Sequence, residues 1–92
     1  MKLWSKCISK NKTVVSQVQD FDLAPVYDTE TWNGILTEVC RTFDISRPLV
    51  MAKNLRELQE FGITVFKKPD FIDDFRYDTL ELEIIREKKK KS

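Results

Sequence analysis

The sequence lacks histidine entirely and contains only two glycines among its 92 residues. Without imidazole, the chain has no side chain that ordinarily titrates near neutral pH, and it lacks the most common metal ligand in proteins. Without a glycine cluster, no loop can wrap a phosphate group with backbone amides. The residues that most catalytic and nucleotide-binding motifs require are therefore missing, and the sequence predicts no catalytic residue, no cofactor and no small-molecule substrate.

Long apolar runs are missing as well. No stretch approaches the roughly 20 residues that a membrane-spanning helix needs, and the first residues do not have the apolar segment of a signal peptide. We therefore expect a cytoplasmic protein with no membrane partner. Cysteine is scarce, and in a cytosolic chain Cys7 and Cys40 are expected to be free and buried. A catalytic thiol is disfavoured because no histidine is present to activate it.

The composition that remains is typical of a globular protein, with 41% hydrophobic and 34% charged residues. We expect one domain over residues 1–85. Residues 86–92 include five basic residues and one glutamate, and this composition predicts a disordered basic tail.

The hydrophobic pattern predicts a series of short elements. β-branched and aromatic residues indicate a hairpin at the N-terminus, and its second strand is predicted to lie at a sheet edge because neither of its faces is cleanly apolar. A stripe at helical spacing predicts one main helix, in which Gly34 is interpreted as a close approach to the sheet. Asn54 is predicted to begin a short helix that Gly62 ends. The predicted strands are 3–8, 13–21, 63–66 and 80–85, the helices are 31–43 and 54–61, and one helical turn runs from 69 to 75.

These elements predict an α+β fold. An antiparallel sheet of about four strands, made of the N-terminal hairpin and two C-terminal strands, is covered on one face by the main helix and the short helix. The element order argues against a parallel βαβ array. The predicted core is Leu3, Val18, Trp32, Ile35, Leu36, Val39, Cys40, Phe43, Leu58, Phe61, Val65, Phe71, Leu80, Leu82 and Ile84.

An acidic group near the end of the chain is the best candidate for a metal site. Carboxylates three and four residues apart on a helical turn converge, and oxygen ligands suit magnesium or calcium. The spacing is not that of a calcium loop, so a solvated acidic turn is the favoured interpretation. The group consists of Asp70, Asp73, Asp74 and Asp78.

Two basic groups are candidates for anion binding. Between the helices, a solvated helix surface is favoured over an anion site for Arg41, Arg47, Lys53 and Arg56. In the tail, flexible positive charge is sufficient for contact with nucleic-acid phosphates, although no aromatic residue is interleaved to stack on bases. A tail that aids solubility is the favoured interpretation of Lys88, Lys89, Lys90 and Lys91.

Short motifs along the chain resemble those of small bacterial proteins of about this length that have no assigned activity. They are the opening Met-Lys-Leu-Trp at 1–4, Asp-Ile-Ser-Arg-Pro at 44–48, Phe-Gly at 61–62 and the closing Leu-Glu-Leu-Glu-Ile-Ile at 80–85. The resemblance implies a bacterial cytoplasmic protein and adds no site residue.

The functional expectation is a non-enzymatic protein-interaction module that binds a protein partner or associates with itself. Edge pairing through the second strand is one route, because unpaired backbone groups invite a partner strand. Two alternatives remain open: a nucleic-acid-associated protein that uses the basic tail, and a divalent-metal protein that uses the acidic group. An exposed Trp4 would also indicate an interface.

Overall fold

The computed structural model describes residues 1–22 and 26–85. The predicted disordered tail at 86–92 lies outside these residues. The chain forms strands β1 (Lys2–Ser9) and β2 (Lys12–Asp20), helices α1 (Thr29–Phe43) and α2 (Ala52–Phe61), and strands β3 (Ile63–Lys67) and β4 (Thr79–Ile85), with a 3₁₀ turn (Lys68–Asp70) after β3.

The four strands form one antiparallel sheet in the order β2-β1-β4-β3. The predicted α+β fold, with its N-terminal hairpin and two C-terminal strands, is confirmed. The hairpin turn consists of Lys10 and Asn11, which both have positive φ angles of 52° and 64°. Two such residues form the turn whose twist matches that of the flanking strands. The sheet order leaves β2 and β3 as its two edges, so the predicted edge position of β2 is also confirmed.

Helix α1 begins at a side-chain cap. The Asp28 carboxylate accepts a hydrogen bond from the backbone N–H of Thr31 at 2.7 Å, which satisfies one of the free donors at the start of the helix. The helix ends at Asp44, which has a left-handed φ of 56°. Arg76 donates to the carbonyl oxygens of Phe43 and Asp44, both at 2.9 Å. The last turn of α1 is therefore attached to the loop before β4.

Helix α2 begins two residues earlier than predicted. Met51 occupies the cap position, and Asn54 lies in the first turn, where its side-chain oxygen accepts from the Met51 N–H at 2.9 Å. The Asn54 amide nitrogen donates to the Thr64 hydroxyl at 2.9 Å, and that hydroxyl donates to Glu57 at 2.6 Å. Asn54 and Thr64 are buried, so this short network connects α2 to β3 from within.

The core lies between the helices and one face of the sheet, which we call the inner face. On β1 the residues of this face are Leu3, Ser5 and Cys7, all at most 1% exposed. The helices contribute the predicted apolar stripe. The buried apolar side chains of the described residues are Leu3, Cys7, Trp32, Ile35, Leu36, Val39, Cys40, Leu58, Phe66, Phe71, Phe75, Leu80, Leu82 and Ile84.

Four predicted core residues are not in this set. Val18 pairs with Trp4 on the opposite, outer face of the sheet and is 53% exposed. Phe61 is the last residue of α2 and is 70% exposed, because the helix ends there and the chain reverses at Gly62. Phe43 and Val65 are only partly buried. The predicted close approach at Gly34 is also wrong, since a Cβ atom there would meet no neighbouring atom of the described residues within 4 Å.

Candidate functional site

The acidic group does not form the predicted helical turn. The turn ends at Asp70, five residues before Phe75. The Asp70 carboxylate accepts a hydrogen bond from the backbone N–H of Lys67 at 2.8 Å, and the Asp70 carbonyl accepts from the Leu49 N–H at 2.9 Å. Asp70 thus holds the end of β3 and the loop before α2.

The other three carboxylates of the group have separate surroundings. Asp78 accepts from the Lys10 N–H at 2.8 Å and holds the hairpin turn. Asp73 and Asp74 are exposed. Within residues 1–22 and 26–85, no group of three or more His, Cys, Asp or Glu side chains is arranged to hold a metal ion. Two of the four carboxylates therefore serve as backbone caps at different places.

The residues between these carboxylates attach the loop to the core. The rings of Phe71 and Phe75 stack with centroids 3.9 Å apart and planes within 7°. Tyr77 meets Phe75 edge to face at 5.8 Å, and Lys68 donates to the Phe75 carbonyl at 2.8 Å. This segment is a packed connection between β3 and β4.

Two of the four basic residues between the helices contact side chains of α1. Arg41 forms an ion pair with Glu38 one turn earlier in α1. Arg47 donates to the Thr37 hydroxyl at 3.2 Å. Lys53 and Arg56 are exposed on α2. The four residues of the second basic group, Lys88, Lys89, Lys90 and Lys91, lie outside the described residues, and their contact with nucleic acid stays a prediction.

Neither of the described helices lies on the outer face of the sheet, but long side chains cover its centre. Lys6 lies with its Nζ 3.9 Å from the centroid of the Trp4 ring and 2.9 Å from a carboxylate oxygen of Glu81. Glu83 adds a second carboxylate at 3.8 Å from the same Nζ. The Lys6 and Glu81 side chains are only 15% and 20% exposed. This charged cluster shields the partly buried Trp4 from solvent.

The β3 edge of the sheet is short, and its last outward N–H is already hydrogen-bonded. It has five residues, and the outward N–H of its last residue, Lys67, is bonded to Asp70. A shallow groove of about 360 Å³ separates the edge from α2, and Lys53, Phe61 and Val65 are among its lining residues. Short length and bonded backbone groups are features by which natural proteins protect a sheet edge.

The β2 edge is longer, and the hydrogen bonds at its end determine which of its backbone groups are free. Phe21 donates its N–H to the Met1 carbonyl at 2.7 Å, and the amino group of Met1 donates to the Phe21 carbonyl at 2.7 Å. In an antiparallel ladder, bonded and non-bonded pairs alternate along the strands. The odd-numbered residues of β2 from 15 to 19 are therefore bonded to β1.

The even-numbered residues direct their backbone groups away from the sheet. These residues are Ser16, Val18 and Asp20, and no described strand lies beyond them. A register shift opposite Cys7 and Ile8 leaves Val14 as an extra residue, so the regular edge begins after it. The mixed polarity of both faces indicated that β2 is an edge, but only the Met1–Phe21 bonds establish which residues carry the outward groups.

Charged side chains are confined to the two ends of this edge, at Lys12 and Asp20. The run from Thr13 to Gln19 contains no charged residue, no proline and no glycine. Val14 and Val18 are 52% and 53% exposed. Natural edge strands ordinarily carry lysine, proline, an inward charge or a β-bulge against pairing with another chain, and here the bulge at Val14 lies before the regular part of the edge. The free edge of β2 is therefore the candidate functional site, and its chemistry is backbone hydrogen bonding to an added strand.

Comparisons with protein-family models, with curated proteins and with solved structures find no match. None of the described helices has the length and apolar character to cross a membrane.

Proposed function

We propose that this protein is a non-enzymatic protein-interaction module of the cytoplasm that accepts a partner strand along the free edge of β2. The observation that carries the proposal is the set of outward backbone groups at Ser16, Val18 and Asp20, at the end of a run from Thr13 to Gln19 that contains no charged residue. Main-chain hydrogen bonds supply affinity in strand addition, and alternate side chains supply specificity. The two free, buried cysteines suit a reducing compartment.

The other candidate side chains already form hydrogen bonds within the fold, which supports the same proposal. Asp70 and Asp78 cap backbone N–H groups, and Arg76 holds the end of α1. These side chains are used to stabilise the fold. The β2 edge, in contrast, has strong hydrogen-bonding groups without a described protein partner, and such groups are ready to pair with another chain.

A proline at an outward position tests strand addition directly. Proline lacks an N–H and is tolerated on an edge strand where that N–H faces solvent. Val18→Pro should therefore keep the fold while it removes the central donor of the edge. Val18→Lys is a second variant that keeps the N–H and adds a protecting charge. Ile72→Lys, at a residue that is 72% exposed on a distant loop, is the matched control.

The experiment compares affinity capture by the four proteins under identical conditions. We expect the wild type and Ile72→Lys to retain the same partners, including further copies of this chain, and both Val18 variants to lose them by at least tenfold. Circular dichroism establishes that all four are folded. Equal capture by folded Val18 variants and wild type, or no capture by any of the four, would overturn the proposal.

A further inference from the structure

We infer that the strand added to β2 is β2 of a second copy, paired antiparallel about a twofold axis at Val18. This inference rests on the proposed function and names its partner. Only Ser16, Val18 and Asp20 belong to the regular part of the edge, because the extra residue Val14 interrupts the alternation before them. An axis at Val18 uses all three residues in each copy. Val18 then pairs with Val18 of the second copy, and Ser16 of each copy pairs with Asp20 of the other.

The side chains in this register are complementary on both faces of the sheet. On the outer face, the Ser16 hydroxyl donor lies opposite the Asp20 carboxylate of the second copy, and the two Val18 side chains meet. On the inner face, Gln17 lies opposite Gln19. Gln19 has a buried amide oxygen with no hydrogen-bond partner among the described residues, and the facing glutamine brings an amide donor to the same side. Such cross-strand pairs stabilise sheets.

The charges at the ends of β2 favour the antiparallel direction. The strand begins with Lys12 and ends with Asp20, and the seven residues between them are uncharged. A parallel pair would place lysine beside lysine and aspartate beside aspartate, which is destabilising. The antiparallel pair directs each positive end toward the negative end of the other copy. The contact is also self-complementary, so the assembly closes as a dimer.

The dimer would have one continuous eight-stranded sheet. Strand pairing of this kind places the twofold axis perpendicular to the sheet, so both copies keep their helices on the same face. The β3 edges, which are short and bonded to Asp70, become the two ends of the sheet. The exposed β2 edge of each copy is then covered by that of the other.

Disulfide trapping tests the register. Hydrogen-bonded antiparallel partners have Cα atoms about 5.5 Å apart, which is within reach of a disulfide. Val18→Cys should therefore form a covalent dimer under mild oxidation. Ser16→Cys alone should not, because its two copies are offset by four residues, or roughly 13 Å. A mixture of Ser16→Cys and Asp20→Cys should cross-link. The wild type, whose two cysteines are buried, is the control. It should form no covalent dimer under the same oxidation.

Sedimentation of the unmodified protein complements the trapping. We expect the wild-type mean mass to rise toward twice the monomer mass with concentration, and folded Val18→Pro to stay monomeric. Faster cross-linking of Ser16→Cys than of Val18→Cys would overturn the register. A wild type that is monomeric at every concentration would overturn the second copy as partner. In that case, capture of other proteins that is lost in Val18→Pro would leave the proposed function standing, whereas unchanged capture would remove both.

Discussion

At the scale of single residues, the two glycines have opposite roles. Gly34 lies on the exposed side of α1, and a Cβ atom there has room, with no neighbouring atom within 4 Å in the part of the chain that the structure describes. Gly34→Ala should raise the free energy of unfolding by about 1 kcal/mol, because alanine loses less backbone entropy in a helix. Gly62 has a φ of 73° at the end of α2, so Gly62→Ala should lower the free energy of unfolding by about 1–2 kcal/mol. Urea denaturation measures both, and equal effects of the two substitutions would contradict this assignment.

The two cysteines are also residues of the core. Burial raises the pKa of Cys7 to about 11 and that of Cys40 to about 12, from an ordinary value of 9.0. The unfolded chain thus loses thiol protons near pH 9 while the folded chain keeps them. The stability contributed by the neutral thiols is complete below pH 9 and is lost as the pH rises through 11 to 12.

Measurement of the free energy of unfolding as a function of pH tests whether stability decreases as the pH rises. The free energy of unfolding should fall between pH 9 and 11, and the fall should be smaller in the Cys7→Ala/Cys40→Ala variant. At neutral pH, a thiol reagent should modify neither cysteine of the folded protein and both cysteines of the unfolded chain. Rapid modification of the folded protein, or an unfolded chain without free thiols, would contradict the buried, reduced state.

At the scale of elements, two buried hydroxyl groups differ in their hydrogen bonding, and the difference affects how β3 and β1 are held. Thr64 bonds both Asn54 and Glu57 and joins β3 to α2. The Ser5 hydroxyl is buried in β1 with no hydrogen-bond partner among residues 1–22 and 26–85. Thr64→Val should lower the free energy of unfolding by about 1–3 kcal/mol, because it leaves two groups unpaired.

Ser5→Ala is the matched substitution, and it should be neutral or stabilising by about 1 kcal/mol, since it removes a hydroxyl that forms no bond. Thermal unfolding of the two variants beside the wild type provides the comparison. A larger loss of stability for Ser5→Ala than for Thr64→Val would show that the assignment of the two hydroxyls is reversed.

The elements were largely predictable because their signals are local. Alternation predicted β4, and the helical stripe predicted α1 with its buried residues. The errors occur where tertiary position overrides a local pattern. Val18 is apolar in an edge strand, and its exposure follows from pairing with Trp4 on the outer face. Phe61 continues the apolar side of α2, but the helix ends at that residue.

The candidate site was predictable only in part. The mixed faces of β2 predicted an edge strand, which is a property of composition. Which of its residues carry free backbone groups depends on the bonds between Met1 and Phe21, twenty residues apart. The convergence expected of the acidic group depended on a helical turn, and the 3₁₀ turn ends at Asp70. Long-range pairing of this kind leaves no local signature in the sequence.

At the scale of the whole molecule, the two faces of the sheet have different tolerance to charge. Leu82 is completely buried on the inner face, so Leu82→Asp should unfold the protein by placing an unpaired charge in the core. Val18→Asp, at a half-exposed position on the outer face, should leave the fold intact. Circular dichroism of both variants is the measurement. A folded Leu82→Asp together with an unfolded Val18→Asp would mean that the inner and outer faces are exchanged.

At the same scale, the two edges of the sheet differ: β3 is short and partly hydrogen-bonded, whereas β2 has outward backbone groups that can accept a strand. This difference is the central claim. Amide hydrogen exchange, measured residue by residue in dilute and in concentrated protein, tests it most directly. In dilute protein, Gln17 and Gln19 should be protected, whereas Ser16, Val18 and Asp20 should exchange rapidly. In concentrated protein, these three amides should become protected as well. Rapid exchange of the three amides at every concentration, with association mapped to another surface, would contradict the claim that β2 accepts a strand.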